Sequence, residues 1–173
     1  MSAALPLDPY KADCARCQGL CCVAPGHRAG DGFPRPKPGD RACENLDRRT
    51  FRCRIFERLE AEGFTVCRGY ECFGAGPQVV RWLGDDWQER PAEEAAARFD
   101  DFRRLSRLRC LVAYMERRAD LADHPLYLAL AGIVVEYDRS GRLPPAQAIG
   151  ARLAAYPDLT REALRAVGYT GSG

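Results

Sequence analysis

Eight cysteines crowded between positions 14 and 72 constrain this chain more than anything else in it. They come as Cys14, Cys17, Cys21 and Cys22 in CARCQGLCC, followed by Cys43, Cys53, Cys67 and Cys72. A C-x2-C pair lets the chain turn back so that two sulfurs meet one ion, the ligand pair of zinc and iron–sulfur sites. The x3-CC that follows adds two sulfurs pointing in divergent directions, and the four later cysteines can wrap round and close the shell. Disulfides would need an oxidising compartment, for which the sequence gives no targeting signal, and would require adjacent Cys21 and Cys22 to reach two different partners. Free thiols packed as small hydrophobes are common singly but not eight together. The spacing therefore predicts a metal–thiolate site with these eight as ligands. Two zinc ions with four thiolates each, a bridged zinc cluster, or one iron–sulfur cluster beside a structural ion all satisfy it, because soft thiolates suit each.

The composition around the cysteines agrees. Up to about residue 90 large aliphatic residues are sparse; beyond Pro91 they are dense, although the whole 173-residue chain is 46% hydrophobic. A segment of that length without an aliphatic core needs a staple, and structural zinc supplies on the order of 10 kcal/mol or more of folding free energy. Arg16, Arg52, Arg54 and Arg68 flank the ligands and are placed to offset thiolate charge through hydrogen bonds to sulfur. Arginine is also simply frequent here, with lysine only at positions 11 and 37.

The predicted architecture is mainly α: an irregular metal-stabilised cysteine-rich region over 1–90, a small helical bundle over 91–168 packed on it, and a disordered tail over 169–173. Residues 24–41, with Pro34, Pro36 and Pro38, read as a loop. Phe51, Ile55, Phe56 and Leu59 read as a short amphipathic helix over 51–62, capped by Gly63 in the left-handed region. Cys72 to Pro77 reads as a turn, and Val79 to Leu83 as one helical turn or a short strand. Pro91, Glu93 and Glu94 open a long helix to about Ala119, its buried stripe running through Phe99, Phe102, Leu105, Leu108, Val112 and Met115. Asp123 caps a second helix with Pro125 in its first turn, stopped by Gly141. A third runs from Pro144 and Pro145 to Tyr156, and a fourth over 159–167.

CxxCxxxCC, then CENL, FRCRIF and VCRGYEC, resembles the zinc- or iron-chelating family named for its CxxCxxCC-type motif. Cys43 with Leu46, Cys53 with Ile55 and Phe56, and Cys67-Arg68 with Cys72 match that family's order. The closer likeness is to the cysteine-rich N-terminal region of certain bacterial pentapeptide-repeat proteins, through Gly19 to Val23, Glu71 to Gly76 and Asp86-Trp87. The resemblance covers about residues 10–120; the repeats are missing. It implies metal binding. Some relatives with clustered cysteines are protein-lysine methylases, for which an iron–sulfur cluster would fit.

The functional expectation is a metal-binding protein, zinc in first place and iron or an iron–sulfur cluster as the alternative. Its metal is structural and its surface is offered to another protein or, through the helices, to a second copy. The competing class is an iron–sulfur enzyme or redox protein. Catalytic residues are not identified, and the balance leans against an enzyme: there is no nucleophile–base pairing, phosphate loop or dinucleotide fingerprint. A formal net charge of +2 indicates no nucleic-acid partner. No run of ~20 apolar residues suggests a membrane span, and the first residues carry no secretory pattern, so the expected location is the cytoplasm. His27 reads as a solvated loop residue, with metal ligation the lesser alternative, and His124 as structural. Cys110, inside the long helix, reads as a packed thiol and not a ligand. Trp82 and Trp87 are expected to dock the cysteine region onto the helices, and Asp85-Asp86 to lie in a turn.

Overall fold

In a computed structural model the chain is mainly helical; the structure describes residues 10–84, 86–89 and 92–167. The expected tail, Pro91 and Asp85 lie outside the described residues. The second half follows the hydrophobic periodicity. Helix α4, Ala92–Glu116, is the central rod, and it packs on α3, Ala75–Leu83, on α5, Pro125–Ser140, and on α7, Pro157–Ala166. Helix α6, Ala146–Ala154, packs on α7. Phe99, Phe102, Leu105, Leu108, Leu111, Val112 and Met115 are all buried. Their spread round α4 follows from its being covered on more than one side, so the apolar run that could have served a dimer is consumed within the chain.

Several boundaries moved. Helix α4 ends at Glu116, and a short 3-10 turn follows at Ala119–Leu121. The cap of α5 is His124 in place of Asp123: its Nδ1 accepts from the Leu126 N–H at 3.1 Å. Its ring also stands edge-on to Tyr156 with centroids 4.8 Å apart, which gives His124 the structural role expected of it. Gly141 stops α5 as expected, with φ of +65°. A Cβ there would also come within 2.5 Å of Trp82, so the indole sits directly on the glycine. Helix α7 begins with Pro157 in its first turn, ahead of the expected start.

The first half departs further. No helix forms over 51–62. A two-stranded antiparallel ladder pairs β1, Leu46–Asp47, with β2, Arg52–Cys53, Leu46 facing Cys53, and only a 3-10 turn follows at Phe56–Arg58. Phe51, whose φ is +54°, sits in the turn that brings β2 back against β1, and a left-handed residue there cannot belong to the interior of a right-handed helix. Gly63 is left-handed as expected, at φ +79°, but it closes a turn. Cys72 to Pro77 is likewise no simple turn: Gly74, at φ +76°, leads into α3, whose first turn contains Gly76 and Pro77. Two single-turn helices complete the half, α1 at Leu20–Val23 and α2 at Thr65–Arg68.

One hydrophobic cluster runs across residue 90. It joins Leu20, Val23, Leu46, Val79, Leu83 and Trp87 to the buried faces of α4, α5 and α7. Trp87 lies at the seam, tilted on Phe51 at 6.2 Å and edge-on to Phe99 at 5.3 Å between centroids. A smaller cluster of Phe33, Leu59 and Phe64 sits apart in the cysteine region.

Candidate metal centre

The cysteine region is mostly loop, so its shape is set by side chains that tie loops to helices. From α4, Arg103 donates to the Ala24 carbonyl at 2.7 Å and to Asp40 at 2.5 Å. One turn and a half further on, Arg109 donates to the Phe73 carbonyl and, at 2.9 Å, to Gln78 Oε1. Those two arginines hold both flanks of the region against the rod. The proline-rich loop closes on itself through the paired backbone bonds of His27 and Lys37, each 2.9 Å. A 3-10 turn at Cys14–Arg16 is capped by the Asp13 side chain, which accepts from two backbone N–H groups.

These ties enclose a cavity of about 120 Å³, many times the ~10–15 Å³ that a single water requires. All eight of the cysteines expected as ligands line it. Cys110 does not; it is fully buried within α4, its thiol pushed up to about 12, mainly by burial. Each of the nine cysteines is a free thiol. Among the described residues no three Cys, His, Asp or Glu side chains are drawn tightly enough to cage an ion as they stand. The eight cysteines thus share one cavity, but among the described residues no coordination shell is closed.

The thiols act on one another electrostatically. Burial raises Cys17 to about 11, with Cys72 and Cys14 adding to the rise. Burial also raises Cys67 to about 12, with Cys22, Cys43 and Cys53 contributing. Cys43, Cys53 and Cys72 are each raised too, by burial first. Cys22 goes the other way because the Cys21 thiol donates a hydrogen bond to it; nearby Lys37 lowers it as well. A set of thiols held neutral by burial is the state from which a cation would release protons on binding.

The cation facing these sulfurs was not found from the sequence. Lys37 is buried, and its Nζ donates to the carbonyls of Val23 at 3.0 Å, Pro25 at 2.5 Å and Pro38 at 3.1 Å. Its field reaches Cys43 and Cys22. The available signal was that this is one of two lysines in an arginine-rich chain. Three of the four flanking arginines expected at sulfur are engaged elsewhere: Arg16 with Asp13, Arg52 with the Cys14 carbonyl at 2.7 Å, and Arg68 over the Phe56 ring. His27 lines the cavity, half-buried and stacked on Phe33 with ring centroids 4.4 Å apart, so it is a wall residue more than a solvated one. Burial lowers its pKa, as does Lys37.

No helix among the described residues is long and apolar enough to cross a membrane. No family model and no solved structure matches the chain. The chain is similar to the uncharacterized protein YybG of Bacillus subtilis (strain 168), 35% identical over 136 residues. That alignment takes in 76% of this chain and 48% of YybG, so the chain spans about half the length of this relative.

Proposed function

We propose that the chain binds a thiophilic metal in its cysteine cavity, zinc in first place, and that the metal is structural. One observation carries the reading: eight cysteines scattered over the first half of the sequence line a single cavity. The donor set fits. Thiolate is the ligand that zinc and iron–sulfur sites share, and the site's own cation, Lys37, offsets part of the negative charge that four-thiolate coordination leaves. Ion binding would deprotonate the thiols and draw the sulfurs to the ~2.3 Å of a zinc–sulfur bond. The likeness of the cysteine order to the CxxCxxCC-type chelating family belongs to this proposal, as does a cytoplasmic location, which accords with nine free thiols.

A zinc ion with four thiolates has no position left for substrate, so the role proposed is to hold the region in shape for a protein partner or a second copy. Leu128 and Val135 stand exposed two turns apart on α5 and offer such a partner an apolar strip. The second reading is an iron–sulfur redox protein or enzyme; the exposure of Cys14 at the surface favours it, since a cluster there would be open to an electron-transfer partner. Colour separates the two. Protein purified aerobically and anaerobically should hold stoichiometric zinc by elemental analysis and show no visible absorbance. A brown protein rich in iron would favour the second reading, and a metal-free, fully folded one would remove both.

A further inference from the structure

Resting on the metal reading above, we infer that the eight cysteines form two separate four-thiolate centres whose members interleave along the chain. Cys14, Cys17, Cys21 and Cys72 belong to one; Cys22, Cys43, Cys53 and Cys67 belong to the other. The order of the sequence suggests a different division, the first four against the last four, and the fold crosses it.

The first centre is built on α3. Cys14 and Cys17 bracket the 3-10 turn that packs against that helix, and Cys72 stands three residues before it. Gly76, in its first turn, has no side chain where a Cβ would lie 2.7 Å from Cys17 Sγ and 3.8 Å from Cys72 Sγ. The two sulfurs therefore converge over one point of α3, fifty-five positions apart in sequence. Cys14 bears electrostatically on both, and Cys17 and Cys72 both bear on Cys21.

The second centre is built on the hairpin and the small cluster. The Cys43 N–H donates to the Cys22 carbonyl at 2.8 Å, and the Leu46 N–H to the Cys43 carbonyl at 3.0 Å. Leu46 faces Cys53 across the ladder. Cys43, Cys53 and Cys67 all pack on Phe33, Leu59 and Phe64, while Cys17 and Cys72 belong to the main core. Cys22 also touches the main core, but besides its neighbour Cys21 the thiols it acts on are Cys43, Cys53 and Cys67.

Adjacent Cys21 and Cys22 divide between the centres for a geometric reason. Neighbouring residues on a helical turn project about 100° apart, so within α1 one sulfur faces each side, and the bond between them marks the border. Each centre has its own buried cation: Arg109 acts on Cys72, and Lys37 on Cys22 and Cys43.

The test is a count of Zn²⁺ retained by the full chain against a chromophoric chelator, by native mass spectrometry. Wild type should keep two ions. The double variant Cys14→Ser/Cys72→Ser strikes one centre twice and should keep one; Cys67→Ser/Cys72→Ser strikes both and should keep none. Division by sequence order predicts the reverse pair of results and would overturn the inference, as would a bridged cluster, in which both doubles lose everything. Where a double variant fails to fold, wild type decides: after stepwise removal of one ion, N-ethylmaleimide should modify one of the two named sets of four together. Any mixed set refutes the division. Wild type that takes up no zinc fails at the first measurement, and there it is the metal reading that has fallen.

Discussion

At the scale of single residues, Lys37 shows how much of this half is held by polar groups. A buried amine costs several kcal/mol unless its protons are taken up, and here the carbonyls of Val23 at the end of α1 and of Pro25 and Pro38 accept them. Lys37→Met keeps most of the apolar stem but leaves those carbonyls without their donor. The expected loss is about 2–4 kcal/mol in urea unfolding followed by tryptophan fluorescence; a change of a few tenths would mean that water replaces the amine at no cost. The rarity of lysine was a weak mark of this position, because burial of a lysine depends on where distant carbonyls converge. The gathering of the eight cysteines round one cavity was legible for the opposite reason: it follows from residue type and spacing. What spacing cannot convey is partner choice, since Cys17 meets Cys72 only once α3 is in place.

Among the helices, the legible ones were those whose burial is periodic. The stripe from Phe99 to Met115 set α4 correctly, whereas Phe51, Ile55, Phe56 and Leu59 have helical spacing but serve a hairpin and a 3-10 turn, with Phe56 52% exposed. Short apolar periods are ambiguous in this way. FGAG misled in the other direction, since its glycine starts a helix. The packing of α4 against the loop beyond α5 rests on a feature no period announces. Asp101 is nearly buried, takes Arg98 at 2.9 Å and Arg104 at 3.1 Å, and accepts from the Tyr137 hydroxyl at 3.2 Å. The same arginines donate to the carbonyls of Gly141 and Pro144. Asp101→Ala should cost about 1–3 kcal/mol, less than a fully buried pair because both arginines keep these other partners and some solvent. Burial outweighs the arginines and raises the Asp101 pKa above 3.8. The folded state therefore holds the proton more tightly than the unfolded one, and this group adds stability as pH falls through its folded value toward 3.8. Asp101→Asn should abolish that acid-side gain while changing neutral-pH stability little. Urea midpoints of the two proteins measured from pH 7 to pH 4 should draw apart, wild type gaining relative to the variant; parallel curves would show that the carboxyl titrates normally.

Over the whole molecule, the two halves share one core, and on the metal proposal above, chelation should act on the cysteine region first. The helices from α4 to α7 pack on one another through residues buried to a few per cent, and the prediction is that this packing keeps them folded. The cysteine region contributes Leu20, Val23, Leu46 and the α3 face to the common cluster, and its loops are otherwise held by polar ties such as those of Lys37 and Arg103. Chelation should therefore abolish the near-ultraviolet dichroism of Trp87, which depends on the seam between Phe51 and Phe99, while most of the far-ultraviolet helical signal remains. Re-addition of zinc under reducing conditions should restore the near-ultraviolet band. A near-ultraviolet spectrum unchanged by chelation would show that the cavity keeps its shape without an ion. Loss of both signals in a single step would show instead that the core crossing residue 90 makes the chain one cooperative unit, in which the metal stabilises the helices as much as the loops.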